Sequence, residues 1–293
     1  MLRGLAFLGR YGHTSECWDE CAPDVVYMFF HLATRPRPSD FTRRARILSR
    51  RAALRWAHEH PRLPARAPAE DVVFGYAYGA YTAHRVGLDV RQLRRDLVAV
   101  APAIAARPLL GFDPQRERPS SASDWQYAMV GTHIAEGIGM RLRWSLRDLV
   151  RWRHAMQPYP RPRRGQGLGS RGWSAFYAVT HLVYVLNDYS LRLLPRARFE
   201  PEIDVLRAGA EAGIAEGDVE AVGEAVDALL SLGHTEQDDV VVRGRAAILE
   251  RQNRDGSWGA REDTPYTRFH KTWVALDGLT SYGRRPMVRK GLP

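Results

Sequence analysis

Residues 252–259 read Gln252-Asn253-Arg254-Asp255-Gly256-Ser257-Trp258-Gly259. Each residue type here has a job at the junction of two helices. Asp-Gly supplies a tight turn, because glycine reaches backbone angles closed to other residues. The Gln amide can reach backbone groups left free at a helix end, and the Trp ring can pack over the helix that follows. The stretch therefore predicts a helix before residue 252, a compact turn, and a second helix held against the first.

Outward from this turn, apolar residues recur at helical spacing nearly throughout, without a convincing strand pattern. Two kinds of helix alternate. Segments 42–59, 90–106, 145–157, 201–215 and 237–252 are polar or Arg-studded with one apolar stripe. Segments 22–34, 70–87, 122–140, 173–192, 217–232 and 266–281 are apolar or small on most faces. A striped helix faces water on one side, whereas one that is apolar all round must be buried. That alternation is what two concentric rings of helices require. Breakers separate the segments: Arg35–Pro38, Pro61–Pro68, and a long Pro/Arg/Gly-rich loop at 158–172 that reads equally as a lid or as a disordered segment.

The 252–259 stretch resembles the Q-x-x-D-G-S-W-G repeat of squalene–hopene cyclases. Thr272-Trp273-Val274-Ala275-Leu276-Asp277-Gly278-Leu279 is similar to the T-W-x-x-L-x-G-L inner helix of those cyclases and to the corresponding helix of protein prenyltransferase beta subunits. Gly172-Trp173 is a degenerate echo of the repeat. The resemblance covers residues 235–280 and implies an all-α fold, an α/α toroid of about six hairpins forming a single domain over 1–293. A toroid is a fold and does not by itself give a function.

The net charge is +10, and only Lys271 and Lys290 are lysines, so 41 of the 43 basic residues are arginine. Arg- and Ala-rich sequence with almost no Lys is the mark of a GC-rich bacterial genome, which explains the high charge without a nucleic-acid partner. No nucleic-acid-binding motif is present in the sequence; an anionic substrate or membrane surface stays open. The longest apolar runs fall short of a bilayer span, the first ten residues are too interrupted for a signal peptide, and a cytoplasmic location is expected. His13, Cys17 and Cys21 form a spacing too sparse for zinc, and two reduced structural thiols are expected.

Histidines recur on the apolar helices: His31, His84, His133, His181 and His270. His133 lies about eleven residues into its helix, His181 about eight and His270 about four, a spread of two turns or less at 1.5 Å per residue. Helix 217–232 offers Glu220 and Glu224 at matching depths. The expected ligand set is His133, His181, Glu224 and His270, holding a transition metal ion (Fe, Cu, Mn or Zn). Tyr177, Tyr184 and Asp188 are expected to support proton transfer beside it.

The resembling families supply tests. The cyclases protonate an alkene with the acid of D-x-D-D, and Glu236-Gln237-Asp238-Asp239 is similar, but its place just ahead of helix 237–252 suits a cap better than a cavity acid. Prenyltransferases hold zinc with Asp, Cys and His. Lys271 fills the position of that His, and His270 is displaced by about 100° round the helix. The thiolate of prenyltransferases and lanthionine cyclases, and the D-D-x-x-D of class I terpene synthases, have no counterpart. The expected function is thus a metal-dependent enzyme, an oxidative tailoring catalyst of bacterial secondary metabolism acting on a small organic molecule in the toroid cavity. The alternatives are an isoprenoid cyclase or prenyltransferase using cavity aromatics (Tyr76, Tyr78, Trp125, Tyr177, Tyr184, Trp273), and a non-catalytic toroid that binds a ligand or protein.

Overall fold

The computed structural model describes residues 1–34, 39–64, 70–160, 167–280, 282 and 284–286. Among them the chain is helical apart from one two-residue parallel pairing, Arg192–Leu193 with Arg285–Pro286. In chain order the helices are α1 (Leu2–Tyr11), α2 (Ser15–Ala33), α3 (Asp40–Glu59), α4 (Glu70–Arg85), α5 (Arg91–Val100), α6 (Ala106–Leu110) and α7 (Ala122–Gly137). There follow α8 (Leu146–Val150), α9 (Gly169–Leu186), α10 (Glu200–Glu216), α11 (Val219–Ser231), α12 (Asp239–Glu250) and α13 (Pro265–Gly278).

All eleven helical segments expected from apolar periodicity are helical, and α1 and α6 are additional. Three fall well short: 173–192 ends at Leu186, ahead of left-handed residues at Asp188–Ser190, and two others break locally. Segment 90–106 stops at Val100 and passes into a 3-10 turn holding Pro102, and 145–157 divides into α8 and a 3-10 stretch at Arg151–Met156. Part of the proposed lid, 161–166, lies outside the described residues.

Where the sequence suggests a single domain, contacts gather the chain into two compact units. One comprises Met1–Glu20, Thr34–Phe41 and Gln157–Leu292; the other comprises Cys21–Ala33 and Thr42–Met156. The boundary within α2 coincides with a break at Cys21 (φ −141°, ψ 29°), two residues before Pro23. Proline lacks an N–H and its ring crowds the carbonyl four residues earlier, which is enough to interrupt the helix. Cys17 and Cys21 are both buried free thiols.

In the second unit, α4 packs on α5 and α7, and α7 on α8. Trp56 lies where a Cβ on Gly79 would stand, and buried Trp125 donates its indole N–H to the Leu149 carbonyl at 2.9 Å. Ser145 and Asp148 close a reciprocal cap at the start of α8.

The first unit is built round α11, whose every residue except Glu220 is buried. Helices α9, α10, α12 and α13 pack against it. Helices α10 and α12 each bury one stripe, as their sequences require. Asp218 caps α11 by accepting from the amides of Glu220 and Ala221, and Thr264 caps α13, whose first residue is Pro265. Helices α11 and α13 approach closely at Gly223: a Cβ there would stand 2.4 Å from the Val274 carbonyl oxygen of α13.

The 252–259 turn joins α12 to α13 through side chains. Asp255 Oδ1 accepts from the Ser257 amide (3.0 Å) and hydroxyl (2.7 Å), and Asn253 Nδ2 donates to the Gly259 carbonyl (2.9 Å). Gly256 has φ +96°, and a Cβ would stand 2.5 Å from the Arg3 carbonyl oxygen, so glycine is required on both counts. Gln252 does not cap the helix end: its amide donates to Gly256 O (3.0 Å) and accepts from Arg3 (3.0 Å). The helix end is satisfied instead by Trp258, fully buried, whose indole N–H donates to Ile248 O at 2.7 Å. Its amide N–H donates to Thr272 Oγ1 on α13 at 3.0 Å.

The E-x-D-D segment forms a surface turn. Asp238 is the N-cap residue of α12, but its carboxylate accepts from the Thr235 hydroxyl (2.8 Å), the Thr235 amide (3.2 Å) and His234 Nδ1 (2.6 Å). Those bonds from Thr235 hold the Asp238 carboxyl below its ordinary value, while burial lowers His234. Asp239 pairs with Arg243 at 2.8 Å and is exposed.

Two outcomes are expected. Gly223→Ala forces α13 away from α11 and lowers unfolding free energy by about 1–3 kcal/mol, the range for overpacking, as read by denaturant titration. His234 has a folded-state pKa below its ordinary 6.5, so its unfolded form takes up the proton first and stability falls as pH drops below 6.5. The slope for that one proton is at most about 1.4 kcal/mol per pH unit, and His234→Gln should flatten it in thermal melts taken down to about pH 5.

Candidate functional site

Glu220 and Glu224 stand four residues apart on α11 and so share one face of that helix. His270, in the second turn of α13, meets them there. One donor atom from each of the three lies within 4.8 Å of the others, the one such group of metal-binding residue types among the described residues. His270 Nδ1 is 3.3 Å from Glu220 Oε1. Glu224 is almost completely buried at 2% exposure, whereas Glu220 and His270 keep 24% and 16% of their side chains open.

Helix α9 completes the surroundings. Thr180 Oγ1 donates to Glu224 Oε2 at 2.6 Å, and the Tyr184 hydroxyl donates to the Glu224 backbone carbonyl at 3.3 Å. Among the described residues no hydrogen bond reaches Glu224 Oε1. His181 Nδ1 lies 2.8 Å from the Tyr177 carbonyl, which can only accept, so Nδ1 carries the proton and Nε2 carries the lone pair.

The electrostatics divide the two carboxyls. Burial pushes Glu224 up to about 8, with the neighbouring Glu220 adding to the rise and His270 opposing it. Burial also works against ionisation of Glu220, but its hydrogen bond and charge interaction with His270 outweigh that and hold it below the usual range. Burial lowers His181 to about 4, leaving a neutral imidazole at physiological pH. Tyr177 and Tyr184 are both pushed well up by burial first and the surrounding carboxylates second, so both remain phenols.

Of the four expected ligands, the structure brings Glu224 and His270 together. His181 stands outside the group, its Nδ1 4.0 Å from Glu224 Oε2 and turned to a backbone carbonyl. His133 belongs to the other unit, where its ring meets Tyr81 edge-on at 6.0 Å. Glu220 takes the place left open; the sequence shows it at the right depth, one turn from Glu224, but nothing in the sequence ranks it above a third histidine. Tyr177 and Tyr184 do border the group, the latter edge-on to His181 at 5.6 Å. Asp188 does not: it opens a run of three left-handed residues (φ 56°, 52° and 65° at Asp188, Tyr189 and Ser190) and faces Arg192 at 3.9 Å. Lys271 turns to Asp263 at 3.0 Å, leaving His270 to face α11.

The residues present fit a divalent cation. The donor set is two carboxyl groups and one imidazole; Glu224, raised to about 8, holds its proton at neutral pH and would give it up to a bound ion. A cavity of about 370 Å³ adjoins the start of α11; Asp218, Val219 and Lys271, which line it with Arg251, are sequence neighbours of Glu220 and His270. Another, of about 740 Å³, lies at Gln157–Pro160 and α10, and neither is lined by Glu220, Glu224 or His270 themselves.

Compared with known protein families, curated protein sequences and solved structures, the chain has no match.

Thr180→Val should destabilise the protein by about 1–3 kcal/mol, because it strips the buried Glu224 carboxyl of its partner while leaving side-chain volume unchanged. The double variant with Glu224→Gln should not show an additive loss in a thermodynamic cycle of denaturant titrations.

Proposed function

We propose that this protein is a metal-dependent enzyme acting on a small organic molecule, with Glu220, Glu224 and His270 as the metal ligands. The observation that carries the reading is the convergence of three donor atoms from two helices within 4.8 Å, one of them on a buried carboxyl. An oxygen-rich set with one imidazole suits iron, manganese or zinc better than copper. Such an ion would supply Lewis-acid chemistry or, if redox-active, the electron transfer that an oxidative tailoring step needs.

The chain's own residues have definable parts in this reading. Thr180 orients Glu224 through its hydroxyl, and the Glu220–His270 contact holds both donors toward one point before any ion arrives. His181, neutral with its lone pair on Nε2, is a proton acceptor beside the site. Tyr177 and Tyr184 remain protonated and offer hydrogen-bond donors to a substrate. The surrounding architecture we take to be an α/α toroid, supported by the two hairpins α10–α11 and α12–α13, each a striped helix followed by a buried one. An isoprenoid cyclase is less well supported, because alkene protonation needs a strong, protonated acid. Asp238 and Asp239 are engaged in a surface turn, and Glu224, raised to about 8, is too weak an acid.

Elemental analysis of the untagged protein should find close to one transition-metal ion per chain, before or after reconstitution. Glu224→Gln and His270→Ala should each lose most of it while keeping the helical circular dichroism of the parent. A protein that stays metal-free after reconstitution would overturn the reading.

A further inference from the structure

Helix α3 carries a surface that the candidate site does not use. Its inward stripe, from Thr42 through Ala45, Ser49, Ala52 and Ala53 to Trp56, is buried. The opposite face exposes Arg43, Arg44, Arg46, Arg50 and Arg51, with Arg55 half-buried and paired to Glu59 at 2.9 Å. In the middle of that face stand two aliphatic side chains, Ile47 at 64% and Leu54 at 49% exposure.

The arrangement round the axis is ordered. At 100° per residue, Ile47 and Leu54 fall within about 20° of each other; Arg43, Arg46 and Arg50 lie to one side and Arg44, Arg51 and Arg55 to the other. The acids of the helix, Asp40 and Glu59, sit at its two ends. Arg44, Arg46, Arg50 and Arg51 make no hydrogen bond or ion pair among the described residues. Arg44, Arg46, Arg50 and Arg51 thus leave uncompensated positive charge on both sides of an apolar ridge.

We propose that this face of α3 docks the protein on an anionic lipid bilayer surface. A bilayer interface offers phosphates and carboxylates in the headgroup layer and hydrocarbon just beneath it. The ridge of Ile47 and Leu54 can enter the hydrocarbon boundary while the flanking arginines keep their guanidinium groups among the headgroups. Charge complementarity supplies the attraction and the ridge supplies the preference for lipid. A nucleic acid fits the face less well. Base edges are read by polar side chains and unpaired bases stack on aromatic rings, whereas the centre of this face is aliphatic and the aromatic rings of α3, Phe41 and Trp56, are buried on its other side.

The test is co-sedimentation of the full chain with vesicles of phosphatidylcholine mixed with phosphatidylserine, against phosphatidylcholine alone. Binding to the anionic vesicles is expected and should weaken as salt is raised toward about 0.5 M. The Arg44→Gln/Arg46→Gln/Arg50→Gln/Arg51→Gln variant should bind at least about tenfold more weakly. Ile47→Ser/Leu54→Ser should also weaken binding, most clearly at high salt, where charge is screened. All six side chains are exposed, and unchanged circular dichroism and melting temperature verify that the variants remain folded. Absence of binding to anionic vesicles, or undiminished binding by the Gln variant, would overturn the proposal. So would equal binding to duplex DNA that survives Ile47→Ser/Leu54→Ser, which would make the face a general polyanion sink.

Discussion

The candidate site rests on a single packing constraint: α11 and α13 approach backbone to side at Gly223, with no side chain between Gly223 and the Val274 carbonyl. His270 is one turn above Val274, and Glu220 and Glu224 flank Gly223 on α11. The close crossing is therefore what delivers the imidazole to the two carboxyls. Any side chain at 223 would act as a spacer, because interiors are packed too densely to absorb a methyl group there without a shift.

The turn after α12 keeps that crossing in register from the other side. Trp258 ties the end of α12 to the middle of α13 through two hydrogen bonds, the indole to Ile248 O and the amide to Thr272 Oγ1. Thr272 is two residues beyond His270, and Thr272 Oγ1 in turn donates to Arg268 O. Gln252 and Asp255 hold the turn itself rigid, and α1 is brought against it at Gly256. The chemistry of the stretch is thus structural, and it holds α13 against the end of α12.

Against this well-satisfied frame, Glu224 stands out. A carboxyl at 2% exposure with one side-chain hydrogen bond is held against a desolvation cost that a glutamine or leucine would avoid. Natural sequences tolerate such costs where a function uses the group. The same logic separates Glu224 from His181, whose burial is compensated by the Tyr177 carbonyl, and from Asp238, whose carboxylate is satisfied at the surface.

Periodicity and local spacing determined the helices, the 252–259 turn and the contrast between striped α10 or α12 and buried α11, because each depends on residues within a turn or two of one another. Depth along the helices placed Glu224 and His270 at one level, where the structure brings them together. It did not set His133, His181 and Asp188 apart from them or single out Glu220, since depth fixes height and leaves rotation free. Rotation is decided by contacts distant in sequence: Gly223 against Val274, Tyr177 O turning His181 aside, the left-handed run turning Asp188 toward Arg192. The same holds for the division at Cys21, where the break ahead of Pro23 becomes a boundary between two units only through the packing on either side.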